Sequence, residues 1–209
     1  MHARRLGVAL VLTMLVSALA LPSASAGSDG RPPSSRKALV SIFGPKVRPF
    51  GLRVTRAALV NPEGKRDPNG THLAIYVEPT GDYTPQDYID GTVKVTKVFL
   101  PYVFQRWSRL KSFDVCQEPR PSVDPRPVPA PETQVYATRA GARLLDWKTV
   151  DVATMIDRSR TEVAAAGASG DIRFSLFVAQ HLENTPAYQQ AAGAVATTTP
   201  AAPTVRDYG

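Results

Sequence analysis

The sequence predicts an α+β fold: a single domain with a mostly antiparallel sheet and helices on one face. Three observations carry this. Residues 72–78, 112–118, 134–139 and 171–179 are short runs with the composition and period of strands. Residues 84–110 and 150–166 repeat their apolar side chains at the helical period of 3.6. From residue 72 these elements follow one another as β-α-β-β-α-β, the order of a ferredoxin-like split βαβ sheet.

Each element has its own justification. Residues 38–43, ALVSIF, are a short apolar run that reads as a strand. Residues 51–60 read as another, with Leu52 and Val54 alternating against Arg53 and Thr55. One or two extra N-terminal strands therefore precede the main pattern. Residues 61–70, NPEGKRDPNG, are dense in turn formers and predict a loop. Strand 72–78 places Leu73, Ile75 and Val77 on one face. Thr84 is the N-cap of the long helix, Pro85 its first residue, and Asp87 lies in the first turn. That helix is expected to reach about Leu110. Its wide apolar stripe includes Ile89, Val93, Phe99, Val103 and Trp107, and Lys94, Lys97 and Gln105 lie opposite. Pro101 predicts a kink or break near Leu100.

Strand 112–118 carries Cys116, the only cysteine. Residues 118–132 hold six prolines and read as a loop or extended linker. After strand 134–139, Ala140-Gly141 predicts a turn, with residues 142–147 as hairpin partner or irregular cover. Helix 150–166 groups Val152, Met155, Ile156 and Val163, and Gly167 ends it. Strand 171–179 alternates through Ile172, Phe174, Leu176 and Val178, and Thr185-Pro186 opens a short helix. A short internal echo at a shift of 101 residues aligns Leu73, Ile75, Val77 and Thr84-Pro85 with Phe174, Leu176, Val178 and Thr185-Pro186.

The ends set the expected location. Residues 1–26 read as an export signal: Arg4 and Arg5, an apolar run over residues 6–21, then Ala24-Ser25-Ala26, with cleavage after Ala26. The alternative is an uncleaved N-terminal anchor, although the run is shorter than the roughly 20 residues of a spanning helix. The protein is thus expected to be secreted or held in the cell envelope. Its Ala, Arg, Val and Pro bias resembles that of a high-GC bacterium. Residues 27–36 read as a disordered basic arm, residues 37–190 as the α+β domain, and residues 191–209 as a disordered Ala/Thr/Pro tail.

Charge is uneven. Residues 27–66 hold nine Lys or Arg against Asp29 and Glu63, whereas residues 67–209 hold fourteen against sixteen acids. A basic N-terminal segment of this kind suits an anionic envelope polymer or lipid headgroups. Nucleic acid is disfavoured, because the chain carries no binding motif for it and an export signal would carry it elsewhere.

Few residues suggest chemistry. His72, His181 and Cys116 stand apart without paired ligand spacing, so no metal site is expected, and no cofactor motif occurs. GASG, residues 167–170, lacks the spacing and the strand-to-helix context of a nucleophile elbow. Ser34 and Lys37 match Ser-x-x-Lys only by letter, so a serine acyl-enzyme is not supported. A carboxylate-dependent hydrolase acting on envelope polymer remains an alternative, drawing on Glu78, Asp82, Asp87, Asp114 and Glu118. Cys116 shares a strand face with Ser112, Asp114 and Glu118. Neighbouring acids oppose its ionisation and argue against a catalytic thiol. It reads as a buried side chain or as a free thiol that links two chains, giving a monomer or a weak dimer. Tyr83, Asp87 and Tyr102 are the candidate ligand contacts on the aromatic helix. The expected function is a binding or interaction module of the cell envelope or extracellular space. The alternatives are the hydrolase and a self-associating structural protein.

Overall fold

A computed structural model of the chain describes residues 30–120 and 130–193. The expected export signal, the first residues of the arm, the middle of the proline-rich loop and the tail from residue 194 lie outside the described residues.

The fold is α+β, with five strands in one mixed sheet and five helices among the described residues. Helix α1 (Arg36–Val47) leads, followed by β1 (Leu52–Val60), β2 (His72–Pro79) and α2 (Pro85–Arg106). Strands β3 (Ser112–Gln117) and β4 (Thr133–Thr138) come next, then α3 (Val152–Ala166), β5 (Phe174–Val178), α4 (Gln180–Glu183) and α5 (Pro186–Gly193). Residues 142–147 are irregular cover, opening with a short 3-10 turn, Gly141–Leu144.

The run at residues 38–43, expected as a strand, is the middle of α1. Ser35 caps that helix by accepting from Ala38 N at 3.2 Å. Leu39, Phe43 and Val47, spaced by four, are fully buried against the sheet. Only one extra strand, β1, therefore precedes the main pattern.

The order β-α-β-β-α-β from residue 72 is present, but the split βαβ arrangement is not. The strands lie side by side in chain order, β1-β2-β3-β4-β5. The reason is geometric: β2 has two edges. Strand β1 occupies one edge antiparallel and β3 the other parallel, from His72↔Ser112 to Val77↔Gln117. No edge of β2 remains for β4 or β5, and these pair antiparallel outward from β3.

All three long helices pack on one face. Phe43 meets Phe99 at 4.8 Å and Trp107 at 5.9 Å between ring centroids, and Phe99 meets Phe113 at 6.1 Å. Burying each such ring stabilises the fold by roughly 1.5–3 kcal/mol. One polar network crosses this interface: Gln117 Nε2 lies 2.8 Å from the Tyr88 carbonyl and 2.7 Å from Thr133 Oγ1. Helix α2 is not broken at Pro101 but ends at Arg106, a turn earlier than the apolar stripe suggests. Arg139 holds that end, donating to the carbonyls of Phe104, Trp107 and Leu110 at 2.6, 2.6 and 2.9 Å.

Candidate functional site

Strand alternation sends Leu73, Ile75, Val77, Phe113, Val115, Val135 and Ala137 into the helix-covered core. The same alternation sends His72, Ala74, Tyr76, Glu78, Ser112, Asp114, Cys116, Gln134 and Tyr136 to the opposite face. Among the described residues, Ala74, Tyr76 and Cys116 make a small apolar cluster there. This polar face is the candidate site.

Its chemistry is concentrated where β2, β3 and β4 meet. His72 Nδ1 lies 2.9 Å from Ser112 Oγ, and His72 Nε2 lies 3.4 Å from Asp114 Oδ2. Gln134 Nε2 donates to the same Asp114 oxygen at 3.1 Å. The Tyr136 ring stacks on His72, centroids 5.9 Å apart and planes 21° apart. Asp114 is 0 % exposed and His72 8 %, whereas Ser112 is half-buried. The parallel register explains the grouping. His72 sits opposite Ser112, and Asp114 is two residues further along β3 on the same face.

Further along the face the groups are ion pairs. A bulge between Val54 and Arg56 lets β1 present both arginines to this side. Arg53 Nε donates to Glu78 at 2.6 Å and Arg56 Nη2 to Glu118 at 2.6 Å. Thr55, the extra residue, donates to Glu118 Oε2 at 2.6 Å. The Arg56 guanidinium lies 3.9 Å from the Tyr76 ring centre. Glu132 meets His181 Nε2 at 2.8 Å. Of the carboxylates considered for hydrolysis, Glu78, Asp114 and Glu118 share this face, each with a cationic or imidazole neighbour. Asp82 and Asp87 lie elsewhere, at the start of α2.

Cys116 is 1 % exposed, opposite Tyr76 on β2 and Gln134 on β4. Among the described residues, no three His, Cys, Asp or Glu side chains come together as a metal site. No described helix is long and apolar enough to cross a membrane.

The three residues expected to contact a ligand are not brought together. Asp87 and Tyr102 are fifteen residues apart on one helix, about 22 Å at 1.5 Å per residue. Asp87 completes a capping box, accepting from Thr84 N at 2.8 Å and Thr84 Oγ1 at 2.7 Å. Those hydrogen bonds hold its carboxyl below the usual range. Tyr83 packs edge-on against Tyr88 at 4.9 Å, and burial, with Asp87 and Asp90 nearby, pushes its phenol up to about 12. Gly91 is what lets it close in, since a Cβ there would lie 2.4 Å from Tyr83 Oη. Tyr102 sits at the α1–α2 surface, with Lys46 Nζ 4.1 Å from its ring centre. Sequence reasoning did not find His72, Gln134 and Tyr136 as a group. The shared face of Ser112, Asp114 and Cys116 was readable, but the neighbouring strands were not.

The chain matches no protein-family model, no curated protein and no solved structure.

Proposed function

We propose that the protein is a binding module of the cell envelope or extracellular space that engages phosphate-bearing anionic groups through its α1–β1 edge. One observation carries this reading. Arg36, Lys37, Arg48, Lys65 and Arg66 are exposed along that edge, on α1, on the turn after it and on the β1–β2 loop. None forms an ion pair with a described carboxylate. Arg36 donates instead to the Thr55 carbonyl. Of the other arginines of residues 27–66, Arg53 and Arg56 are neutralised by Glu78 and Glu118, and Arg31 donates to Asn69 Oδ1 at 2.8 Å. The N-terminal basic excess is therefore displayed at the margin of the sheet and not spent within it.

The shared chemistry is the phosphate monoanion or diester, carried by an envelope polymer or by a lipid headgroup. Each Lys or Arg near an anionic membrane surface contributes about 1 kcal/mol. A K37E/R48E/K65E/R66E variant of the full chain should bind poly(glycerol phosphate) or anionic vesicles more than tenfold more weakly. Binding by the soluble polymer alone, or by vesicles alone, identifies the source of the phosphate. Deleting residues 27–50 is not a clean test, because Leu39, Phe43 and Val47 belong to the core. Equal binding by wild type and the charge-reversed variant overturns the proposal.

The two other readings have weaker support. A Cys116-bridged dimer requires β3 to open, since the thiol is enclosed. A carboxylate hydrolase requires two carboxyl groups facing one gap, whereas Glu78 and Glu118 are each held by an arginine.

A further inference from the structure

We infer that Ser112, His72 and Asp114 form a nucleophile–base–anion relay that hydrolyses small esters at the end of the polar face. The sequence contains no motif for this, because the three residues meet only through the parallel pairing of β2 with β3.

The tautomer follows from the burial of Asp114. A fully buried carboxylate is costly unless hydrogen-bond donors surround it. Gln134 supplies one, and the His72 ring edge carrying Nε2 faces the same oxygen. In the tautomer with its proton on Nε2, 3.4 Å from Asp114 Oδ2, the imidazole directs its Nδ1 lone pair at the Ser112 hydroxyl 2.9 Å away. Stacking by Tyr136 fixes the ring plane. This is the arrangement by which an imidazole activates a hydroxyl: nucleophile and base within hydrogen-bond reach, the base oriented by a third group. The two ring nitrogens simply exchange the roles they have in the familiar protease triad. Ser112 is the one member that is only half-buried, and so the one open to substrate.

The chemistry balances with water as the sole co-reactant. Ser112 Oγ bonds to the ester carbonyl carbon while its proton passes to His72 Nδ1. The carbon–alkoxide bond breaks, and the alcohol leaves with that proton. Water then attacks the acyl-serine, again deprotonated at Nδ1. The carboxylic acid departs and the proton returns to Ser112. Positioned general-base catalysis of this kind contributes roughly 10²–10⁴-fold.

The test treats the folded full chain with a fluorophosphonate probe and maps the adduct by peptide mass spectrometry. A single adduct on Ser112, absent after denaturation, is expected. In S112A the adduct and the hydrolysis of p-nitrophenyl acetate above background should both be lost. H72Q, if its melting curve shows a folded protein, should label Ser112 about 100-fold more slowly. No adduct on Ser112 of the folded wild type, or labelling that denaturation leaves unchanged, overturns the inference without reference to any other variant. The K37E/R48E/K65E/R66E chain keeps all three residues and should still be labelled, so failure here is distinct from failure of anionic binding.

Discussion

At the scale of single residues, burial decides what Cys116 does. It stands opposite Tyr76 on β2 and Gln134 on β4, in the small apolar cluster that it forms with Ala74 and Tyr76 on the polar face. Thiolate attack on a disulfide reagent needs exposure as well as ionisation. Ellman's reagent should therefore leave the native thiol unmodified and titrate it fully in denaturant. A thiol that reacts at once in the native protein would contradict the buried placement. Part of this was readable in advance, because the period of two set Cys116 beside Ser112, Asp114 and Glu118. The identity of its cross-strand neighbours was not. They depend on which residue of β2 faces which residue of β3, and α2 separates those strands in the chain. His72 was unreadable for the same reason. It stands 40 residues from Ser112 and acquires meaning only through register.

At the scale of elements, α1 and α2 give the sharpest tests. Residues 38–43 have the β-branched and aromatic content of a strand, and Gly44-Pro45 looks like a stop. Yet the Ser35 cap and the spacing of Leu39, Phe43 and Val47 were present in the sequence, and packing against β1 decided between them. Phe43→Ala should cost about 3–5 kcal/mol in denaturant unfolding, as a core aromatic does. A cost below about 1 kcal/mol would mean that α1 does not dock as described. The α2 capping box was legible from Thr84, Pro85 and Asp87. The helix end was not, because its cap is Arg139, more than thirty residues away. Thr84→Ala should cost about 1 kcal/mol near neutral pH. The sign of its pH dependence follows from Asp87. Its folded carboxyl titrates below the ordinary value near 3.8, so the stabilisation is present above that value. It is lost as pH falls through the lowered folded value. Unfolding curves of wild type and variant should therefore converge in acid, and an undiminished gap there would contradict the capping role.

At the scale of the whole molecule, the sheet separates two tasks. One face carries the helices and the apolar core, and the other collects nearly all the buried charge. Element types and the α+β class were legible from periodicity, because each strand and each long helix declares its own apolar side. The strand order was not, since it depends on β1 and β3 occupying the two edges of β2. The bulge at Thr55 was equally hidden, and it is what brings Arg56 onto the polar face to meet Glu118. With Arg53 and Arg56 consumed there, Arg36, Lys37, Arg48, Lys65 and Arg66 line the α1–β1 margin, and anionic recognition at that margin is the central claim. The most direct test is the salt dependence of binding to poly(glycerol phosphate) and to anionic vesicles, from about 50 to about 200 mM salt. The account predicts that wild-type affinity falls steeply with salt on at least one of these surfaces, and that K37E/R48E/K65E/R66E binds weakly with a much shallower slope. Binding that is insensitive to salt, or identical slopes for the two chains, would contradict it.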